Sequence, residues 1–170
     1  MEAEINIKSD NEIQLKKNED ILRLGIKDAE GNDTGNYLEF DLQDIELPIR
    51  YQEIIEEDKK ARTQLQSQLI IIERKQDHKG KKLLSSNEEA KIKAMQDFFK
   101  KEVEIYNMFL GENGVQKLLN GRKINWGTLE EIDEIIDKYI LPKLEQNAIN
   151  IKEKIVKKYS KKQKRDDVIE

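Results

Sequence analysis

The chain has 170 residues, of which 39% are charged and 36% hydrophobic, and its formal net charge is -4. This length allows one domain with a core, and the regular spacing of the apolar residues argues against disorder throughout. The absence of cysteine excludes disulfides and thiolate chemistry and is compatible with a reducing cytoplasm. We expect no signal peptide and no membrane span, because the N-terminus lacks a basic stretch followed by an apolar one and every apolar run is short.

The first elements predicted are an arm and a hairpin. Residues 1–20 are polar and weakly patterned, which predicts a flexible arm. Apolar residues alternate with other residues in 21–27 and again in 37–42, a period that is typical of β-strands. The intervening segment is rich in Gly, Asn and Asp, which favour turns. We therefore predict a β-hairpin whose apolar face covers helices or pairs with another chain, since a lone hairpin is marginal in water.

Two long helices are predicted next, from apolar residues spaced three, four or seven apart. The first spans about 48–76 and has Pro48 in its first turn. Its apolar stripe is thin around Asp58, which favours a protruding or partner-bound helix. The second begins at a capping box with Ser86 at the N-cap and carries the richest apolar face of the chain. It ends at Gly111, a residue free to adopt a left-handed conformation.

The sequence after Gly111 predicts a short helix at 114–119 and a last long helix. A second capping box, opening at Thr128, marks the start of that last helix. Pro142 is expected to kink or interrupt it near Tyr139. Apolar residues recur at helical spacing again after Pro142, up to residue 159, and residues 160–170 are predicted to form a disordered tail. The predicted fold class is therefore α+β and mainly helical, with one hairpin-plus-helices domain at 21–159.

The sequence contains no recognisable catalytic constellation. His78 is the single histidine, and with no cysteine it makes a poor metal-ligand set. The glycines between 111 and 121 lack the preceding strand and the Gly-Lys-Ser/Thr motif of a phosphate loop. Adjacent carboxylates such as Glu130 and Glu131 point in different directions on a helix. We therefore predict a protein that is not an enzyme, holds no metal or cofactor, and acts by binding another protein.

The segment 152–165 carries eight Lys and Arg residues against one Glu. Such a run can favour nucleic acid, a membrane surface or an acidic protein partner, although most runs of this kind are solvated helix ends and tails. Tyr159 is the sole aromatic residue near it, so stacking on single-stranded nucleic acid has little support. Nucleic acid is therefore a disfavoured partner, and a membrane is not expected.

The order of these parts resembles that of one protein family. A strand ending in YLEFDL (37–42) leads through DIELP (44–48) into a helix, and a later helix ends in FLGENG (109–114). Over 21–159 the chain looks like the tail assembly chaperones of long-tailed phages and prophages of Gram-positive bacteria. The resemblance implies a chaperone in the host cytoplasm that binds the tape measure protein and helps the tail tube protein assemble around it. It does not account for the basic segment.

Two alternatives stay open at this stage: a structural tail or connector component of a phage-like particle, and a nucleic-acid-binding regulator acting through the basic segment. A homo-oligomer is also left open. Trp126 is interpreted either as an anchor for a partner or as a residue that fills the space between the short helix and the last one. The candidate partner-binding residues are the apolar positions of the first and last long helices together with this tryptophan: Ile54, Ile55, Leu65, Leu69, Ile72, Trp126, Ile151 and Ile155.

Overall fold

The computed structural model describes residues 19–166 together with residues 13, 15 and 17, and side chains up to residue 160. It confirms the predicted α+β, mainly helical fold class. Most of the predicted arm at 1–20, and residues 167–170 of the predicted tail, lie outside the described residues. The elements are β1 (Ile21–Lys27), β2 (Asp33–Asp41), α1 (Leu47–Glu73), α2 (Ser86–Leu110), α3 (Gly114–Leu119), α4 (Trp126–Ile135), a π-helical turn (Ile136–Ile140) and α5 (Leu141–Asp166).

The hairpin forms as predicted, with β1 and β2 antiparallel and Leu24 opposite Leu38. Its loop is shorter than expected, because β2 begins at Asp33 and not at residue 37. The Asp28 carboxylate tightens this turn by accepting hydrogen bonds from the backbone N–H groups of Glu30 and Asn32. One face of the hairpin covers helices, where the ring of Phe40 lies 5.5 Å from that of Phe109.

Helices α1 and α2 form an antiparallel pair. Tyr51, near the start of α1, contacts Phe109 near the end of α2, with ring centroids 5.4 Å apart. At the other end of the pair, Lys91 Nζ lies 2.9 Å from Glu73 Oε1. The prediction that the first long helix protrudes is therefore wrong, since α1 lies along α2, whereas binding of a partner to the exposed face of α1 stays a prediction. The side chains that α1 buries are Leu47, Ile54, Ala61, Leu65 and Ile72.

Helix α2 opens with the predicted type of cap, shifted by one residue. Ser85, and not Ser86, is the N-cap: its hydroxyl accepts from the Glu88 N–H at 3.2 Å, and the Glu88 carboxylate accepts from the Ser85 N–H at 2.7 Å. The helix ends before Gly111 as predicted. Gly111 has a φ of 91° but a ψ of 179°, so the chain leaves in an extended direction and does not continue as a left-handed turn.

The last long helix begins at Trp126, before the predicted N-cap Thr128. Asn125 is the N-cap instead, and Thr128 completes its capping box from the third helical position. The interruption expected from Pro142 takes the form of the π-helical turn that ends just before α5. Helix α5 then continues to Asp166, beyond the end predicted at residue 159.

One continuous core joins the hairpin and the helices. Val115 of α3 and Ile140 of the π-helical turn are completely buried in it. The short helix α3 is therefore held by packing and does not depend on its own length for stability, which six residues could not supply.

Gly114, the first residue of α3, has no room for a side chain, because an added Cβ would lie 2.5 Å from Leu110 Cβ. We expect Gly114→Ala to lower the free energy of unfolding by about 1–3 kcal/mol through overpacking. Urea denaturation measures this change. Gly127→Ala is the matched control near the start of α4, since its Cβ would meet only Asn125 Oδ1, at 3.4 Å. Equal losses in the two variants would contradict the steric explanation.

Candidate functional site

Three of the predicted partner-binding residues are part of the core. Ile54, Leu65 and Ile72 are each less than 10% exposed, because the face of α1 that carries them packs on α2. They are therefore not available to a partner in this fold, which corrects the prediction at these positions. Leu69 is half-buried and packs against the same core.

Three other predicted residues reach the surface. Ile55 of α1 and Ile155 of α5 are each half exposed. Ile151 of α5 is half-buried. A role for these three in partner binding stays a prediction.

Trp126 opens α4 and packs on α2. Its ring centroid lies 5.2 Å from that of Phe98 and 5.0 Å from that of Phe99, where the contact is edge-on. The side chain is still 43% exposed. Trp126 therefore packs α4 against α2 while a large part of its side chain stays exposed.

Helix α5 carries an apolar surface that no other described element covers. Leu144 is the last buried residue among the described side chains of this helix. We call residues 148–160 the α5 arm. Apolar side chains recur along it at helical spacing and are at least half exposed from residue 155 onward, reaching 69% for Tyr159. The stripe comprises Ala148, Ile149, Ile151, Ile155, Val156 and Tyr159.

The charge of the α5 arm is predominantly positive. Lys152, Lys154, Lys157 and Lys158 are exposed beside the apolar stripe, and Glu153 is the sole acidic residue of the arm. A basic amphipathic helix of this kind binds surfaces that combine apolar area with negative charge.

A second feature is a polar layer between α1, α2 and α4. Arg62 donates from Nε to Asp58 Oδ1 at 2.8 Å. The Tyr106 hydroxyl donates to Asp133 Oδ1, which joins α2 to α4. Burial raises the pKa of Tyr106, and it also raises the pKa of Asp133 against the opposing effect of the Tyr106 hydroxyl. We call Asp58, Arg62, Glu102, Tyr106 and Asp133 the polar layer.

Glu102 is the most deeply placed member of the polar layer, with none of its surface exposed. Neither of its carboxyl oxygens makes a hydrogen bond of ordinary geometry with the described residues, although the Asp58 carboxylate is close by. Burial raises the pKa of Glu102 to about 8, Asp58 acts in the same direction, and Arg62 acts against it. The side chain is therefore mostly protonated at pH 7.

A groove of about 340 Å³ runs beside the polar layer. Its walls include Asp58, Tyr106, Asp133 and Asp137, but Glu102 does not reach it. Glu102 is sealed from the groove, so it cannot pass a proton directly to a molecule bound there. The hydrogen bond from Tyr106 to Asp133 joins α2 to α4 beside it.

The burial of Glu102 could have been predicted from its position in the sequence, although a search for apolar residues alone does not find it. Glu102 follows Phe98 by four residues and precedes Ile105 by three, so it occupies a core position of α2. The thin part of the α1 stripe at Asp58 has the same cause, because Asp58 lies on the side of α1 that faces this buried glutamate.

No group of three or more His, Cys, Asp or Glu residues in the described part of the chain is arranged to hold a metal ion. Among the described residues, no helix combines the length and apolar character needed to cross a bilayer. Comparisons with protein families, with curated proteins and with solved structures found no match for this chain.

The raised pKa of Glu102 predicts how stability depends on pH. Between its ordinary value of 4.5 and about 8, the folded state keeps a proton that the unfolded state has released, so stability falls as the pH rises through this window. We expect Glu102→Gln to flatten this dependence and to raise the free energy of unfolding at pH 9 by about 1–3 kcal/mol. Some slope remains, because the pKa of Asp133 is raised as well.

Chemical denaturation at a series of pH values from 5 to 9 measures this effect. Glu104→Gln is the matched control, since it removes the same charge from an exposed position of α2. A pH profile in which Glu102→Gln follows the unmodified chain would contradict a protonated Glu102.

Proposed function

We propose that this protein is a non-enzymatic tail assembly chaperone that binds helical segments of the tape measure protein. The observation that carries the proposal is the α5 arm, an apolar stripe that no described element of the chain covers. An exposed stripe of this kind indicates a surface for a protein partner. The proposed identity of the partner rests on the resemblance of this order of hairpin and helices to that of the tail assembly chaperones.

The body of the protein is suited to present the α5 arm. The core fixes Ile140 and Leu144, which lie just before the arm. The thirteen residues of the arm follow, about 20 Å of helix. A helix from a partner can lie along this stripe and bury its own apolar face, as in other helix-to-helix recognition.

The charge of the α5 arm defines the partner more closely. A second copy of this chain would bring like charges together, since the arm carries four lysines against one glutamate. An amphipathic helix with acidic residues beside its apolar face pairs with the lysines as well as with the stripe. We propose that the tape measure segments bound are acidic amphipathic helices, that binding takes place in the host cytoplasm, and that the tail tube protein is a second partner.

The lysines alone would also suit nucleic acid, the second candidate left open by the basic segment. Phosphate binding makes no use of the apolar stripe, which favours the protein partner. The two candidates differ in salt dependence, because phosphate contacts release counterions. Binding of duplex DNA that falls steeply with added salt would favour the regulator over the chaperone.

Co-expression with the tape measure protein of the same genome tests the proposal. We expect soluble tape measure protein to increase and to co-purify with this chain. Ile155→Glu should weaken the complex at least tenfold, because it places a charge in the centre of the stripe and repels an acidic partner.

Asn150→Glu is the matched control, since it adds the same charge to an exposed position on another face of the α5 arm. It should leave most of the affinity intact. An unmodified chain that neither solubilises nor co-purifies with the tape measure protein contradicts the proposed function. Equal losses in the two variants would show that the partner does not use the stripe.

A further inference from the structure

Strand β1 has a free edge. The Asp20 carbonyl accepts a hydrogen bond from the Leu42 N–H at 2.9 Å, so the even-numbered residues of this strand direct their backbone groups toward β2. Ile21, Arg23 and Gly25 therefore direct theirs to the opposite side. In the described part of the chain the sheet has two strands, and none pairs with this side of β1. Unpaired edges of this kind accept a further strand.

A groove of about 480 Å³ follows that edge. Five consecutive residues of β1, from Arg23 to Lys27, line it. Side chains of consecutive residues alternate between the two faces of a strand, so a continuous run shows that the groove follows the backbone edge itself. The rest of the lining is apolar and consists of Leu38 of β2 together with Leu118, Ile135 and Tyr139. The groove thus offers main-chain partners on one side and apolar contact on the other.

We propose that the chain's own N-terminal segment, residues 12–16, docks antiparallel along β1 as a third strand. This segment is the closest candidate along the chain, because it precedes the start of β1 by only a few residues. Ile13 and Leu15 alternate with polar residues and are 89% and 85% exposed in the structure. A strand at this edge is what would bury them.

The register of such a strand follows from the connection. A tight loop of two or four residues centred between Asn18 and Glu19 places Leu15 opposite Leu22 and Ile13 opposite Leu24. Because the period of a strand is two, both apolar residues then lie on the face of β1 that packs on the core.

The same register matches charges. Glu12 comes to lie opposite Gly25 and diagonal to Arg23 and Lys27, which gives the acidic residue of the segment two basic neighbours on the strand. A second copy or an unrelated peptide could also occupy the edge, but the chain's own segment is tethered next to it and carries an acidic residue that matches the basic residues of β1.

Disulfide trapping tests the register directly, since the chain contains no cysteine of its own. In the proposed register Gln14 and Arg23 form a hydrogen-bonded pair with Cα atoms about 5.5 Å apart, within the range that a disulfide spans. Arg23 is exposed, so the double variant Gln14→Cys/Arg23→Cys leaves the core unchanged. We expect it to form an intramolecular disulfide under mild oxidation at least ten times faster than Ile13→Cys/Arg23→Cys, whose cysteines would face opposite sides.

Electrophoresis without reductant separates the outcomes, and circular dichroism of both variants before oxidation checks that each is folded. A monomeric cross-link confined to Gln14→Cys/Arg23→Cys supports the proposal. A cross-link that joins two chains overturns it in favour of strand exchange between copies. Equal rates in the two variants, or no cross-link in either, overturn it as well. None of these outcomes depends on the tape measure protein, so the test is independent of the proposed function.

Discussion

The antiparallel packing of α1 on α2 is the constraint on which the other parts of the fold depend. It forms the surface that the hairpin covers, through the contact of Phe40 with Phe109. It also positions Phe98 and Phe99. Trp126, the first residue of α4, packs on these two rings. The direction of the last long helix is therefore set by the first two. A change that separates α1 from α2 would remove the support of the whole C-terminal half.

The polar layer gives this packing a preferred alignment. A buried carboxyl group costs free energy wherever it is placed, and the cost is lowest where the group can stay protonated beside suitable neighbours. Glu102 meets that condition only where Asp58 and Arg62 of α1 come opposite it. Sliding one helix along the other would place the same carboxyl group among apolar side chains. Burial of a polar residue thus reduces stability at this point and disfavours alternative alignments.

Local patterns in the sequence predicted the fold well and the binding surface only in part. The alternation in 21–27 and the spacing of the helices depend on neighbouring residues, and those predictions hold. The identity of the N-cap residues could not be predicted from the sequence. Ser85 and Ser86 are both suitable N-caps for α2, and Asn125 is as suitable for α4 as Thr128. Whether α1 is exposed depends on α2, which is distant in sequence, and for that reason residues such as Ile54 were assigned to a surface that they do not reach.

The π-helical turn before α5 determines where the α5 arm points. A π-helical turn amounts to one extra residue in an α-helix, and one residue corresponds to about 100° of rotation around the helix axis. Everything after Ile140 is therefore turned by that angle relative to α4. A deletion of one residue between 136 and 140 would turn the whole stripe toward a different side of the molecule without changing a single residue of the arm.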